Sequence, residues 1–233
     1  MKICHLTSAH SQEDVRIFYK ECVSVAEAGY ETYQISFGAT YDKSGVHLIG
    51  VGDEPTSRRE RMTLAVKKVY RAALKLDADV YHFHDPELMH YGLKLKHMGK
   101  IVIFDSHEDV PAQIMDKHWI PRPLRRIVSC LFKTYETHVV KQLDAVVAAT
   151  SHIAEKFQGR AKKVVVVNNY PRLDDIEFHD TPFSSRERIV CYAGAINDIR
   201  GEKIMTEAMK DVDATLIIAG DHEIMDVVGV SDT

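Results

Sequence analysis

Apolar positions along this chain follow two rhythms, short β-branched runs and longer stretches with a helical repeat. KICHLT (2–7) reads as a first strand, followed by polar SAHSQED and by Asp14, a residue suited to a helix N-cap. From Asp14 a helix is predicted with Phe18, Cys22 and Val25 on one face, stopped by Gly29. ETYQISF (31–37) and VHLIGV (46–51) are predicted strands. Over 57–76, Met62, Val66, Val69, Ala73 and Leu76 recur at helical spacing, with Lys and Arg opposite them, as on a helix with one solvated face. Then come a strand at 79–83, a helix from Pro86, a strand at 100–105 and one or two helices within 110–142. DAVVAAT is a strand, SHIAEKF a helix capped by Ser151, and KVVVVNN another strand.

These strands are apolar on both faces and alternate with helices. That pattern predicts an α/β class, a doubly wound, Rossmann-like parallel sheet covered on both sides. The rhythm defines a first domain at 1–170 and a polar, proline-containing linker at 171–188. A second Rossmann-like unit starts at 189–233 with strand, helix and strand, far short of the ~100 residues of a self-sufficient domain. Such a fragment leaves sheet edges and apolar faces uncovered. Three explanations compete: a shortened gene product, a deliberate cut, or a partner chain that covers the incomplete second domain.

Composition narrows the field. A formal net charge of −4 argues against a nucleic-acid partner. No apolar run approaches the roughly 20 residues of a bilayer span, and the polar start of the chain is unlike a signal peptide. The four cysteines show no C-x-x-C spacing, so a reduced, cytoplasmic setting is expected.

In an open parallel sheet, ligands bind beyond the carboxyl ends of the strands. Polar groups gather there. His10, Asp14 and Arg16 follow the first strand; His82, His84, Asp85 and Glu87 end the strand at 79–83. Asp105, Ser106, His107, Glu108 and Asp109 follow the strand ending at 105, and Asn168 and Asn169 follow the last strand. A shared cleft is the expectation. His82 and His84 flank Phe83 and so share a face, yet spacing fixes no third metal ligand, and no metal is expected. The bland alternative for His82 is a half-buried imidazole bonded to a neighbouring loop. The turn after the first strand, TSAHSQ, has no glycine, which removes the dinucleotide fingerprint; G-x-S-x-G, P-loop and H-E-x-x-H motifs are also missing.

RIFYKECVSVAEAGYETYQIS, DVYHFHDPEL, IVIFDSHEDVP, VVVVNNYP and YAGAINDIRGEKIMTEAM, in this order, resemble glycosyltransferases of family 4, the group-1 type with the two-Rossmann GT-B fold. The resemblance implies transfer of a sugar from a nucleotide-sugar donor, with retention, to a glycan or lipid-linked acceptor in surface polysaccharide or glycolipid assembly. It implies no cofactor and no metal, the nucleotide sugar being a substrate. By analogy His107 approaches the donor sugar and the reacting centre, while His10, His84, Asp85, Glu87 and Glu108 shape the acceptor side of the cleft. The residue types agree, since neutral imidazoles and carboxylates suit a sugar's hydroxyls. On the donor side the analogy assigns the diphosphate to Gly194, Arg200 and Lys203, with Arg16 facing it from the first domain; a Gly turn and Arg at a helix start suit an anion.

The family's E-x7-E pair would lie beyond this chain's last residues. The one such pair here, Glu13 and Glu21, falls in the first helix and is taken as chance. A second reading is therefore a truncated homologue that binds a sugar or a partner without turnover. A third is a metal hydrolase using His82, His84 and His107. Residues 117–133, KHWIPRPLRRIVSCLFK, mix basic and bulky apolar groups with a Trp, as peripheral contact with an anionic inner membrane face requires. The competing reading is a core helix whose basic face meets water.

Overall fold

The computed structural model describes residues 1–117, 119–173, 181–196 and 200–220. It divides into two units, Met1–Asp175 and Ile176–Thr233. The centre of the expected linker, 174–180, and the chain beyond 220 lie outside the described residues.

In the first unit the apolar runs become strands β1 (Lys2–Leu6), β2 (Glu31–Ser36), β3 (Tyr41–Lys43), β4 (Val46–Gly50), β5 (Val80–Phe83), β6 (Ile101–Ser106), β7 (Ala145–Ala148) and β8 (Val164–Val166). They form one sheet in the order β3-β4-β2-β1-β5-β6-β7-β8. Every pairing is parallel except β3 with β4, so the sheet is mixed rather than wholly parallel. The exception is a hairpin. Ser44 and Gly45 both have positive φ (50° and 76°), the backbone of a two-residue turn that joins antiparallel strands. The strand order reverses direction between β1 and β5, and a crevice opens beyond their carboxyl ends at such a point.

The main core lies around Leu6, Tyr81, Phe83, Phe104, Val102, Leu95 and Val146, all essentially without solvent exposure. Gly92, on the helix Met89–His97, makes room for β5: a Cβ there would sit 2.5 Å from the Phe83 ring. A smaller cluster of Ile17, Phe18, Cys22, Val23, Val46 and Leu48 lies under the first helix.

That helix departs from the predicted period. Val15–Cys22 is π-helical, with Tyr19 N–H bonding the Asp14 carbonyl five residues back, before α-helix resumes at Val23–Glu27. Bonding between residues five apart stacks them on one face. Ile17 with Cys22 and Phe18 with Val23 therefore turn inward, and so do Arg16 and Glu21. The second helix is also segmented, as Arg58–Glu60, π-helical Arg61–Ala65 and α-helical Val66–Leu76. Met62 stands exposed and Ala65 takes its place in the core. The cap of Ser151–Phe157 is Thr150, whose hydroxyl accepts from Ile153 N–H, not Ser151.

Arg122–Val140 buries Glu136, Val139 and Val140 near its end but leaves Leu124, Ile127, Val128 and Leu131 exposed, Leu131 to 65%. The competing reading, a core helix whose basic face meets water, thus fits the last turns of this helix and not its first ones. Among the described residues no helix is long and apolar enough to cross a membrane.

In the second unit β9 (Ile189–Ala193) and β10 (Thr215–Ala219) pair in parallel, with the helix Glu202–Ala208 between them in sequence. Gly194 N–H bonds the Ala219 carbonyl. A Cβ on Gly220 would fall 1.8 Å from the Gly194 carbonyl oxygen, so the two glycines let the strand ends meet.

Candidate functional site

A cleft of about 670 Å³ opens beyond the carboxyl ends of β1, β6, β7 and β8. His10, Asp14, Arg16, His107, Glu108, Thr150, Asn168, Asn169 and Tyr170 supply its polar wall. Another hollow of about 610 Å³, between Gly50 and the helix Val66–Leu76, carries Lys68, Arg71 and Lys75 but no imidazole or carboxylate. Chemistry therefore favours the first.

The loop after β1 is held from below. Asp85, buried after β5, accepts hydrogen bonds from the Thr7 hydroxyl at 2.9 Å and from Ser8 N–H at 2.5 Å. Its other oxygen lies 3.4 Å from His10 Nε2. On the opposite edge, His10 Nδ1 lies 3.5 Å from Asp14, whose carboxylate caps the first helix by accepting from Arg16 and Ile17 N–H. The His10 ring meets His107 edge to face, with centroids 5.2 Å apart.

The two imidazoles are tuned in opposite directions. His10 is raised above 6.5 by its hydrogen bond to Asp14, against the effect of burial and with help from Asp85 and Glu108. His107 is lowered, first by burial and then by His10 and His84, with Asp105 opposing. Asp14 settles at about 2: burial pushes it up, and His10 with two backbone N–H groups more than reverses this. A neutral imidazole beside one that favours its proton offers an acceptor and a donor side by side. Among the described residues His107 Nδ1 has no hydrogen-bond partner, and it lies 4.0 Å from Asp105.

The residues singled out in the sequence do not all converge. His10, His107 and Glu108 line the cleft, with Asp85 directly beneath. His84 does not reach it: the ring is buried, with Nδ1 3.0 Å from Asp105 and Nε2 3.0 Å from His5 Nδ1. Nor does Glu87, which pairs with Arg61 at 3.0 Å. Arg16 forms part of the wall, yet its guanidinium grips Asp105 through two 2.9 Å bonds and donates a third to the Val167 carbonyl. Three of its five N–H groups are thereby committed, which weighs against a principal role in holding phosphate. Gly194, Arg200 and Lys203 belong to the second unit, Gly194 at the end of β9 and Lys203 in the first turn of the helix Glu202–Ala208. Thr150 and Tyr170 had no signal beyond their place next to strands. Glu21, dismissed with its chance spacing from Glu13, is drawn by the π-helical turns against His5, His82 and His84. Burial beside Asp105 pushes its carboxyl up to about 9. Glu13 is remote from it, bonded to Tyr19, Tyr41 and Lys43.

Known proteins share this architecture. Among solved structures, a sucrose-phosphate synthase from Thermosynechococcus elongatus superposes with a TM-score of 0.67 at 12% identity, over 93% of this chain and 61% of that one. The Anabaena protein HepE, solved in complex with UDP and glucose, gives 0.60 at 14% identity, over 95% of this chain and 61% of that one. The chain thus spans about three fifths of the length of these structures. At such identities the likeness establishes the fold, a GT-B type with an incomplete second sheet. No curated protein matches the sequence. The family model for Glycosyltransferase Family 4 matches residues 14–170, two thirds of the chain, and the protein belongs to that family.

Proposed function

We propose that this chain acts in sugar transfer from a nucleotide-sugar donor to a glycan or lipid-linked acceptor, with retention, in surface polysaccharide or glycolipid assembly. The observation that carries the reading is the His10–His107 pair, set in the cleft at the strand ends of a family 4 domain. His107, held neutral, accepts from or donates to a sugar hydroxyl near the reacting centre. His10, held toward its protonated form by Asp14, supplies a fixed donor. Asp85 and Glu108 shape the acceptor side. Gly194, Arg200 and Lys203 meet the diphosphate from the second unit.

Melting the chain with UDP, GDP or ADP tests this first, and UDP leads because HepE was solved with it. Saturation to 100 times Kd stabilises by about 2.7 kcal/mol, a rise of roughly 5–10 °C at this size. No shift with any nucleotide removes the donor site from this chain. Turnover is read next, as release of nucleoside diphosphate. His107→Ala lowers it by about 100-fold or more, as loss of a positioned proton-transfer group does, with the melting temperature nearly unchanged. An equal collapse of stability makes His107 structural. Nucleotide binding without any turnover turns the reading into a sugar-binding module.

The exposed Leu124, Ile127 and Leu131, beside Arg122, Arg125 and Arg126, support peripheral contact with an anionic lipid surface. Liposome flotation checks it: binding that survives Arg125→Glu with Arg126→Glu refutes it.

A further inference from the structure

Directly behind the cleft, β1 and β5 place three imidazoles on one face of the sheet. His5 and His82 are register partners across the pair, and His84 follows His82 on the same side. The ring centroids stand 4.8–5.3 Å apart. Glu21 closes the group from the first helix. Its Oε2 is 3.7 Å from His82 Nδ1, 3.9 Å from His5 Nδ1 and 4.0 Å from His84 Nε2.

Left to themselves, these groups are poorly satisfied. Among the described residues neither oxygen of Glu21 makes a hydrogen bond, although both are shielded from solvent; His5 Nε2 and His82 Nε2 also lack one, but the ring atoms nearest Glu21 are the two Nδ1. Arg16 Nε comes within 3.2 Å of Glu21 but directs its N–H to Asp105. Polar atoms left unpaired in an interior are costly, and here the two oxygens of Glu21 face three imidazoles. Apolar side chains would fill the same space at less cost.

We propose that His5, Glu21, His82 and His84 form a closed tetrahedral site for a structural zinc ion. One donor atom from each lies within 4.8 Å of the other three. Zinc bonds of about 2.0–2.2 Å in a tetrahedron require donors roughly 3.4 Å apart; the His5–His84 and Glu21–His separations of 3.0–4.0 Å lie near that spacing, and the rest stay within 4.8 Å, so small side-chain adjustments close the tetrahedron. The surroundings fit as well. Asp105 accepts from His84 Nδ1, which leaves the Nε2 lone pair facing the group, the carboxylate–histidine arrangement that orients metal ligands. Arg16 in turn fixes Asp105. An incoming divalent cation would displace the proton from Glu21; Glu21 and Asp105 then supply two negative charges against it, and imidazole with carboxylate is a donor set suited to zinc. With four protein ligands and almost no solvent access, no coordination position is left open for substrate. The ion would tie the first helix to β1 and β5 beneath the cleft, and it leaves the transfer chemistry metal-independent. The H-x-H pair in the sequence lacked a third and fourth ligand because these come from β1 and from a helix face visible only with π-helical winding.

Metal analysis of the full chain, purified without chelator and also refolded with zinc, is expected to find about one zinc per chain. Refolding in EDTA should give a metal-free protein that melts at least 5 °C lower. Cobalt in place of zinc should show the intense visible bands of a tetrahedral ion. Glu21→Gln and His82→Ala should each lower metal content at least tenfold, while His152→Ala, on the surface, keeps it. Should these variants fail to fold, the comparison of wild-type protein refolded in zinc and in EDTA decides alone. Less than a tenth of an ion per chain after zinc refolding, with the same melting temperature in both, overturns the proposal. Metal that persists in both ligand variants overturns it too, by placing the ion elsewhere.

Discussion

Replacing Arg16 by Met removes a guanidinium while keeping most of the apolar stem. The Arg16 side chain is only 7% exposed and Asp105 is fully buried. After the change Asp105 keeps the His84 N–H as its hydrogen-bond donor, and the Val167 carbonyl loses the Arg16 bond. Breaking one side of a buried pair leaves an uncompensated charge, which costs about 3–5 kcal/mol. In a unit of this size each kcal/mol lowers the melting temperature by roughly 2–4 °C, so a fall of about 10 °C is expected. Urea unfolding followed by circular dichroism gives the free energy directly. Arg16→Lys should recover less than half of it, since an ammonium cannot reproduce the two-pronged grip. Adding Asp105→Asn to Arg16→Met should restore part of the loss by removing the stranded charge, so the two changes should be strongly non-additive. A loss below about 1 kcal/mol, or strict additivity, would refute the reasoning and make the pair behave as a surface ion pair.

Gly92→Ala should destabilise despite the gain in helix propensity of about 1 kcal/mol, because the new methyl meets Phe83, itself stacked on Phe104. Overpacking of about 1–3 kcal/mol is the expected net scale, and an unchanged or higher urea midpoint contradicts the close approach. The raised pKa of His10 gives a signed pH effect. Its contribution to stability is fully present below its ordinary value of 6.5 and fades as pH rises through the higher folded value. The stability of wild type relative to His10→Ala should therefore decline from acid toward neutral and mildly alkaline pH; a difference that is flat, or that grows with pH, rules out the Asp14 pairing as its source.

Much of the fold is legible along the chain. The β-branched runs at 31–37, 79–83, 100–105 and 163–169 each become a strand, because a run apolar on both faces has few places to go except a covered sheet. Asp14 caps the helix it was expected to cap, since a short carboxylate before a helix has backbone N–H groups within reach whatever surrounds it. The antiparallel β3 escaped notice because three residues give too short an alternation, although Ser44-Gly45 carried the turn signal. The cleft residues His10 and His107 were also readable, as polar groups following strands that must end on one side of a parallel sheet.

What the sequence determined is the order of elements, the side of the sheet on which its polar groups collect, and the family. These depend on local periodicity and on the fixed handedness of parallel crossovers. Tertiary structure alone decided which polar groups work together. His84 turned inward and Glu87 went to Arg61, while Arg16 was taken up largely by Asp105. Glu21 became the partner of three histidines from two strands. The π-helical winding that carries Arg16 and Glu21 inward has no signature in a 3.6-residue period, and contacts between residues 16 and 105 or 5 and 84 depend on strand order in the sheet, which spacing along the chain does not encode.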